Sequence, residues 1–538
     1  MKLIKSYNRL IFLAAALCGM VMSQPVSSQN VTDSLNLHAV HNYHDAITEP
    51  GREFRGAWIH TVGNGEYKNM TTAQMKQHFI SLLDSLKSVN INAVIFQVRP
   101  QADAFYKSKL EPWSRYITGQ QGVAPKPAWD PLEFMVKECH KRGMELHAWF
   151  NPYRVASNEQ QIKTLAKTHL YYKKPYLFVK YGRLLVFDPG EPEAREWIIK
   201  VISDVVKRYD IDAVHFDDYF YPYKDYDKAG NELPFPDSLS FAKYAEKDGF
   251  TAEQRNDWRR NNVTLLVKDL DSVIKAIKPW VKFGISPFGV WRNIANDPTG
   301  SQTQAGVQNY DDLYADIKLW VKNNWIDYNV PQLYWDIGHP KADFETLINW
   351  WSQNNYGENL YIGEDIAQTV KVKSRKVSGE FENQLPRKME LVRANPNVHG
   401  NVWWPGYTIP DNPNGFTDSL RKYQAHIALM PPYKHIDTLA PAPIEKVSAS
   451  RSGGKLKISW KAHHTADEMQ RAVYFCVYLN DDIYPSVITQ NLFYEIEQDG
   501  GNSNTAADGK TSRPVEKIRI TALDRLQNES FEKILIIK

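Results

Sequence analysis

The chain is poor in cysteine, with only three Cys among its 538 residues. Cys18 lies in an N-terminal apolar segment, so Cys139 and Cys476 are the two that remain beyond it. Two cysteines in what we expect to be different domains exclude a disulfide framework and argue against a single bridge. No Cys–His cluster in the sequence has the spacing of a zinc site. The fold must therefore rest on a hydrophobic core, which a chain of this length can supply.

The sequence also lacks an excess of charge of either sign. Lys and Arg number 65 against 62 Asp and Glu, for a net charge of +3, and no Lys/Arg run is visible. Such a balance gives no strong field to attract nucleic acid or an anionic membrane. A composition of 43% hydrophobic and 24% charged residues excludes disorder of the whole chain. The aromatic share, 12%, is the unusual figure, because surfaces that bind sugars use such residues.

The N-terminus has the pattern of a secretory signal. Lys2, Lys5 and Arg9 form a basic region, and an apolar stretch of residues 10–21 follows, too short to span a bilayer comfortably. We interpret residues 1–29 as a signal peptide and expect export to the periplasm, cell envelope or exterior. Leu17 precedes Cys18 where a lipoprotein signal has a small residue, which argues against lipidation but leaves an anchor at Cys18 as an alternative. No later apolar run is long enough to predict a transmembrane span.

From residue 50 to residue 430, short apolar runs alternate with amphipathic helical stretches. Eight strand–helix pairs in strict alternation predict a parallel sheet, and eight is the number that closes a (β/α)₈ TIM barrel. An open doubly wound sheet is the alternative, but residues 60–64 after the first strand lack its glycine-rich phosphate turn. The predicted strands are Phe54–Thr61, Ile91–Val98, Met144–Phe150, Ile211–Phe216, Lys282–Ser286, Asp327–Leu333, Asn359–Gly363 and Gly400–Trp404.

The C-terminal part has a different pattern. Residues 431–443 contain four prolines and are interpreted as a linker that few contacts cross. Residues 444–538 contain alternating segments separated by turns, which predicts a small all-β, immunoglobulin-like sandwich. The early Trp460, the aromatic strand 474–478 and the final segment RITALDRLQNES resemble a fibronectin type III domain.

Acidic residues follow three of the predicted strands, at the end where a barrel places its reactive groups. Glycoside hydrolysis needs two carboxyl groups in different protonation states, and Asp217 is the first candidate. Asp336, at the end of the sixth strand, is the best catalytic partner, with Asp217 as nucleophile or stabilising carboxylate and Asp336 as general acid/base. Glu364 and Asp365, after the seventh strand, are rivals for that role.

Other polar and aromatic side chains recur at the same strand ends, where they are expected to bind substrate. Each alone could be a packed core residue, but a purely structural barrel has no reason to concentrate them at one rim. The predicted substrate-binding residues are Asp218, Arg99, Asn151, Tyr219, Tyr221, Trp291, Arg292, Tyr334, Trp335, Glu364, Asp365, Trp403 and Trp404.

Several segments resemble the glycosyl hydrolase-like 10 family of bacterial envelope proteins. They include EFRGAWIHTV, NAVIFQVRPQADAFY, HAWFNPYR, DAVHFDDYFYPY, FGISPFGVWRN and NVPQLYW. The resemblance covers about residues 52 to 430 and implies a (β/α)₈ hydrolase of glycans, in at least one branch of denuded peptidoglycan strands. Many relatives are expected to have Glu after QLYW, whereas this chain has the shorter Asp336.

The resulting hypothesis is an exported glycosidase that acts on a glycan by a two-carboxylate mechanism, without metal or cofactor, as a monomer. One alternative is a glycan-binding barrel without activity. Another is a metal-dependent deacetylase with His215, Asp217 and Asp218 as ligands. Consecutive carboxylates on an extended segment point to opposite faces, which disfavours a shared ion.

Overall fold

Parallel strands of the N-terminal region form a closed barrel. The structure is a computed structural model that describes residues 49–371, 383–497 and 514–537. Neighbouring strands follow the order β10-β9-β8-β7-β3-β2-β1-β12-β11, and a parallel bridge between Gln332 and Gly363 closes the ring. The strands up to the end of the barrel are β1 Phe54–Ile59, β2 Ala93–Arg99, β3 Glu145–Phe150, β4 Arg154–Ala156, β5 Phe178–Tyr181, β6 Leu184–Phe187, β7 Ala213–Phe216, β8 Lys282–Ile285, β9 Tyr328–Asn329, β10 Asn359–Leu360, β11 Ile362–Asp365 and β12 Gly400–Trp404.

Helices pack around the barrel and cover the outer faces of its strands. The helix α1 begins with a capping box, in which Thr71 and Gln74 exchange side-chain and backbone hydrogen bonds. Asp130 caps the start of α3, and Pro131 occupies its first turn. The helices are α1 Thr72–Lys87, α2 Arg115–Thr118, α3 Pro131–Lys141, α4 Glu159–Lys163, α5 Pro192–Arg208, α6 Ser238–Tyr244, α7 Arg255–Ile277, α8 Asn309–Asp312, α9 Ile317–Lys322, α10 Phe344–Gln353, α11 Ile366–Thr369, α12 Leu385–Ala394 and α13 Phe416–Tyr423.

Glycines on two strands admit large aromatic side chains into the barrel. A Cβ on Gly284 of β8 would lie 1.9 Å from the Tyr328 ring, and one on Gly363 of β11 would lie 2.7 Å from Trp58. Tyr328 and Trp58 belong to the packed core inside the barrel. Tyr328 of β9 and Trp58 of β1 therefore fill the space that side chains at these two glycines would occupy.

The predicted (β/α)₈ architecture is confirmed, and all eight predicted strands are present. The sixth is shorter than expected, with only Tyr328–Asn329 paired as β9, and the seventh is divided into β10 and β11 at Tyr361. Sequence patterns missed a small antiparallel sheet, ordered β4-β6-β5, that follows β3. Its strands are short and half-buried, and this excursion forms one wall of the cleft described below.

The C-terminal part consists of two antiparallel sheets around a separate core. One has the order β13-β14-β17 and the other the order β16-β15-β18-β19. Leu456, Ile458 and Trp460 of the first sheet pack with Phe475 and Val477 of the second. The strands are β13 Lys446–Ser452, β14 Lys455–Lys461, β15 Tyr474–Leu479, β16 Val487–Thr489, β17 Phe493–Glu497, β18 Lys517–Leu523 and β19 Lys533–Ile536.

These sheets are bonded directly to the base of the barrel, and all of the described residues belong to one compact unit. Arg52, just before β1, donates to the backbone oxygens of Met430 and Gln527, at 2.7 and 3.0 Å. Arg525 forms an ion pair with Asp210 at 2.7 Å. The expectation that few contacts cross the proline-rich segment is therefore wrong, because apolar and charged side chains from both sides meet there.

The segment interpreted as a linker also contributes to the barrel core. Tyr433 is fully buried, and its hydroxyl lies 2.8 Å from that of Tyr361. His435 contacts the carboxylates of Asp327 and Glu358, at 2.6 and 2.8 Å. This part of the chain thus closes the end of the barrel opposite to the predicted site.

Cys139 and Cys476 are both buried and free of disulfide bonds. Within the described ranges, no helix has both the length and the apolar character that crossing a membrane requires. The predicted signal peptide, residues 1–29 with Cys18, lies outside the described residues.

Candidate active site

Asp217 and Asp218 directly follow β7 and are almost completely buried at the mouth of the barrel. Asp217 accepts hydrogen bonds from the side-chain amide of Asn151, at 2.5 Å, and from the backbone N–H of Tyr219, at 3.2 Å. Asp218 accepts one from the phenol of Tyr223. The two neighbouring carboxyl groups therefore have different hydrogen-bond partners.

A series of amide hydrogen bonds orients Asn151 towards Asp217. The backbone N–H groups of Thr61 and Val62 donate to Gln97 Oε1, at 2.8 and 2.7 Å. Gln97 Nε2 then donates to Asn151 Oδ1, at 2.5 Å, which leaves Asn151 Nδ2 to donate to Asp217. Asn151, predicted to bind substrate, thus has both amide atoms engaged within the protein. The hydrogen bonds that hold Asn151 against Asp217 therefore come from the ends of three strands, β1, β2 and β3.

Burial and mutual repulsion shift the titration of this carboxyl pair. Burial raises the pKa of Asp217, although the cation of Arg154 and the donation from Asn151 act in the opposite direction. Burial, together with the negative charge of Asp217, raises the pKa of Asp218 to about 7. Two interacting carboxyls of which one holds its proton near neutrality are typical of a general-acid site.

A cleft of about 680 Å³ is lined by Tyr219 and Tyr223, the residues that donate hydrogen bonds to Asp217 and Asp218. Its wall includes Tyr219, which is 39% exposed and carries the guanidinium of Arg154 stacked 3.8 Å from its ring centre. The small sheet after β3 supplies the opposite wall. The tyrosine-lined cleft, as we call it, is lined by Tyr153, Arg154, Ser157, Arg183, Leu184, Val186, Tyr219, Phe220, Tyr221, Pro222, Tyr223, Lys224 and Asp225.

The end of the sixth strand brings Tyr334 and Trp335 towards the same carboxyls. The pKa of Tyr334 is raised first by burial and then by the charges of Asp365, Asp218 and Asp217. Trp335 packs edge-on against Phe288, at 5.4 Å between ring centres, and Phe288 packs against Tyr223 in the same way, at 6.4 Å. The predicted residues Tyr334, Trp335 and Asp365 are therefore collected around the mouth.

Asp336, by contrast, lies in a cluster of buried charges with Glu364. Asp336 pairs with Lys371 at 2.5 Å and accepts from Gln368 Nε2 at 2.9 Å. Glu364 is fully buried, contacts Lys388 at 3.4 Å and accepts from Asn401 Nδ2 at 2.6 Å. Burial raises the pKa of Glu364, and the cation of Lys388 opposes that rise. Both carboxyls are thus surrounded by donors from the protein itself.

Several predicted binding residues are engaged in packing or in ion pairs. Arg99 is fully buried and donates to both carboxylate oxygens of Glu111, at 2.6 and 2.8 Å. Trp403 is also fully buried, against Phe416. For Arg99 and Trp403 the structure replaces the predicted contact with substrate by a structural role. Both residues sit on strands that also carry site residues, so strand position alone did not separate them.

Trp291 and Arg292, after β8, take part in a neighbouring cluster. Trp291 stacks on Trp350 with 5.8 Å between ring centres, and Arg292 pairs with Asp297 and Asp311, at 2.8 and 2.9 Å. Tyr221 has one side of its ring on the tyrosine-lined cleft but is only 1% exposed. These three residues shape the loops around the mouth.

A second aromatic group forms the wall at β12. The rings of Trp404 and His60 lie 4.6 Å apart, and His60 also packs against Tyr407, at 5.0 Å. Trp404 contacts Trp149 edge-on, at 6.2 Å, and Trp149 approaches Asp217. Burial lowers the pKa of His60 to about 4, so the imidazole is neutral near pH 7. Trp404 is thereby linked to the carboxyl pair.

Sequence reasoning missed five side chains that complete the site. Tyr223 was visible in the aromatic run DDYFYPY, five residues beyond Asp218, and Trp149 shares a strand face with Asn151. No local signal identified Tyr407. The missed residues are Gln97, Trp149, Arg154, Tyr223 and Tyr407.

Fold and site together define a (β/α)₈ enzyme of the glycosidase type, with two acids at the carboxyl end of the barrel strands. Residues 53–378 match the family described as Glycosyl hydrolase-like 10, and the chain belongs to that family.

Two named relatives extend over most of the chain. The glycosyl hydrolase YngK of Bacillus subtilis (strain 168) is 41% identical over 499 residues, covering 90% of this chain and 93% of the relative. The glycosyl hydrolase DigH of Escherichia coli (strain K12) is 35% identical over 378 residues, covering 66% of this chain and 83% of the relative. Among solved structures, the PgaB (BpsB) glycoside hydrolase domain from Bordetella bronchiseptica aligns with a TM-score of 0.46 and 12% identity, over 69% of this chain and 99% of that domain.

Proposed function

We propose that the protein hydrolyses glycosidic bonds with Asp218 as the proton donor and Asp217 as the anionic partner. The observation that carries this assignment is the unequal environment of two buried, neighbouring carboxyls, whose partners Tyr219 and Tyr223 line the tyrosine-lined cleft. Asp217 receives N–H donors from Asn151 and Tyr219, which favour its ionised form. The proton of the pair then resides on Asp218, whose pKa burial and Asp217 raise to about 7.

In this mechanism Asp218 transfers its proton to the glycosidic oxygen as the bond from that oxygen to the anomeric carbon breaks. Asp217 acts on the positive charge that develops at the anomeric carbon, as nucleophile or as stabilising carboxylate. Water supplies the hydroxyl group of the product, and its second proton returns to Asp218. The exposed ring of Tyr219 offers a surface on which a sugar can stack.

The pairing of Asp217 with Asp336 that the sequence suggested stays a prediction and is the competing assignment. The contacts of Asp336 with Lys371 and Gln368 favour Asp218 as the acid instead, because both partners donate to Asp336. A proton donor must be reachable by the substrate, and Tyr223, which donates to Asp218, lines the tyrosine-lined cleft. Asp336 would then stabilise the loop that follows the sixth strand.

The metal-dependent alternative requires His215 beside the two acids. Both ring nitrogens of His215 already lie within hydrogen-bond distance of protein groups, Trp58 Nε1 at 3.2 Å and the Tyr328 hydroxyl at 3.0 Å. To bind a metal ion together with Asp217 and Asp218, His215 would have to break one of these two contacts. We therefore favour the metal-free mechanism.

The substrate that we propose is a glycan of the cell envelope, with denuded peptidoglycan strands as the first to be tested. The family resemblance and the signal-like residues 1–29 support this proposal, together with action after export. For the C-terminal sheets we propose a fibronectin type III-like domain that serves as a structural support of the barrel.

The test measures released reducing ends from denuded peptidoglycan and from common polysaccharides. We expect Asp218→Asn and Asp217→Asn each to lose at least about 10²–10⁴ in kcat while remaining folded. Asp336→Asn should keep most of its kcat and instead lose thermal stability. Asp257→Asn, an exposed acid on α7, is the matched control and should behave as the wild type.

Each alternative has its own outcome in the same assay. Loss of kcat in Asp336→Asn, with near-normal turnover by Asp218→Asn, would transfer the acid role to Asp336. Glycan binding without any release of reducing ends would identify a binding protein instead. Activity abolished by chelators would point to the metal-dependent mechanism.

A further inference from the structure

A continuous chain of hydrogen bonds runs through the interior of the barrel, beneath the carboxyl pair. All of its members are at most 3% exposed, and none belongs to the mechanism proposed above. The axial relay, as we call it, consists of Lys282, Glu145, His147, Tyr328, His215 and Trp58.

Its contacts have the lengths of ordinary or short hydrogen bonds. Lys282 Nζ donates to Glu145 Oε1 at 2.6 Å, and Glu145 Oε2 lies 2.8 Å from His147 Nε2. His147 Nδ1 is 2.8 Å from the Tyr328 hydroxyl, which is 3.0 Å from His215 Nδ1. Five strands, β1, β3, β7, β8 and β9, thus contribute to one uninterrupted path.

The Trp58 indole at one end determines which atom donates in each following hydrogen bond of the relay. The indole of Trp58 can only donate, so His215 Nε2 must accept, at 3.2 Å. A neutral imidazole then carries its proton on Nδ1 and donates it to the Tyr328 oxygen. The Tyr328 hydroxyl in turn donates to His147 Nδ1, which leaves His147 Nε2 to donate to Glu145. The carboxylate of Glu145, paired with Lys282, accepts at the other end.

The barrel makes room for this path at a cost in packing. Gly284 is required beside Tyr328, because a Cβ there would meet the ring at 1.9 Å. A buried polar network is unfavourable unless every member is satisfied, and here each polar atom along the path has a partner. An apolar core would have filled the same space without this requirement.

The upper end of the relay lies directly below the catalytic pair. His215 and Asp217 are two residues apart at the end of β7, on the same face of the strand, so their Cα atoms are about 7 Å apart. The ring of His215 is fixed from two sides, by Trp58 of β1 and by Tyr328 of β9. The orientation of the His215 ring therefore affects the position of the end of β7, and with it the positions of the Asp217 and Asp218 carboxyl groups.

We propose that the axial relay is a positioning network that holds His215 as the Nδ1–H tautomer and thereby fixes the end of β7 for catalysis. Tyr328 is its central positioning residue, because its hydroxyl joins the two histidines. This role rests on the proposed glycosidase function. It requires no proton to move along the relay during the reaction.

The test compares two buried tyrosines that each lose one hydroxyl group. Tyr328→Phe interrupts the relay, whereas Tyr361→Phe, in the same core, removes only the 2.8 Å contact with Tyr433. We expect Tyr328→Phe to lose more thermal stability than Tyr361→Phe, because it leaves one nitrogen on each of two buried histidines without a partner. Tyr328→Phe should also lose about 10–100-fold in kcat with KM within about twofold, since small misplacement of reacting groups has effects of that size. Tyr361→Phe should keep its kcat within about twofold.

A spectroscopic measurement tests the direction of the relay independently. Nitrogen NMR of histidine-labelled wild-type protein should show His215 as the neutral Nδ1–H tautomer across about pH 6 to 8. An Nε2–H tautomer or an imidazolium at His215 would overturn the assignment. Equal kcat values in the two variants would overturn the positioning role. A wild-type protein inactive on every glycan would overturn the proposed function and the positioning role together, while the tautomers would still be decided by the spectra.

Discussion

Removing the phenol of Tyr223 should move the alkaline limit of activity to higher pH. Tyr223 donates to Asp218, and this hydrogen bond favours the ionised carboxylate. In Tyr223→Phe the ring that packs against Phe288 is retained, so the variant tests one hydroxyl group. The acid must be protonated to act, and a higher pKa of Asp218 keeps it protonated in more alkaline solution.

The size of the effect follows from the environment of Asp218. With a pKa raised to about 7, by burial first and by Asp217 second, about half of the molecules carry the proton at pH 7 and about a tenth at pH 8. In the wild type, kcat/KM should therefore fall about tenfold per pH unit above that pKa. A hydrogen bond to a charged group contributes about 1.5–3 kcal/mol, which corresponds to a shift of about 1–2 pH units in Tyr223→Phe.

The assay is the pH dependence of kcat/KM on a soluble glycan fragment, which reports groups of the free enzyme. Tyr226→Phe, an exposed tyrosine in the same loop, is the control and should keep the wild-type profile. An alkaline limb that stays in place, or moves to lower pH, in Tyr223→Phe would show that the titrating acid is not Asp218. The assignment of the proton donor would then have to be abandoned.

Two further predictions concern charges elsewhere in the protein. Arg154 lowers the pKa of Asp217, so Arg154→Gln should raise that pKa and shift the acidic limb of kcat/KM to higher pH; an unchanged limb would contradict the anionic role of Asp217. Burial lowers the pKa of His435, but hydrogen bonds to two carboxylates outweigh it and raise the pKa to about 9. Its protonated form therefore stabilises the fold fully below about pH 6.5, and this contribution is lost as the pH rises through about 9. Urea denaturation should show that decline in the wild type but not in His435→Gln; parallel declines would contradict it.

The barrel could be predicted from sequence because each of its strands is a short apolar run between helical segments. Strand β12 was predicted with its observed bounds, Gly400–Trp404. The small sheet β4–β6 was missed because its strands are three or four residues long and only partly apolar. Its place as a wall of the cleft depends on how the segment after β3 packs back onto the barrel, which a local sequence pattern does not determine.

The acids were found because strand ends have a fixed place in a barrel, but their partners were not. The cation beside Asp336 is Lys371, two residues after α11, and the one beside Glu364 is Lys388, on α12. No spacing in the sequence connects these pairs, because helices and loops of variable length separate them. A carboxyl group at a strand end can therefore be recognised from sequence, whereas its charge state depends on tertiary contacts.

The opposite end of the barrel shows why the C-terminal part belongs to the same unit. The ammonium of Lys282 lies 5.1 Å from the ring centre of Tyr433, so the segment after the barrel covers the first member of the axial relay. Lys282 is fully buried, and water reaching it would compete for its bond to Glu145. Tyr433 thus excludes solvent from a hydrogen-bond path whose other end lies beneath Asp217. The ring of Tyr433 gives this cover whether or not its hydroxyl is bonded to Tyr361, so the proline-rich segment and the sheets bonded to it seal the base of the barrel.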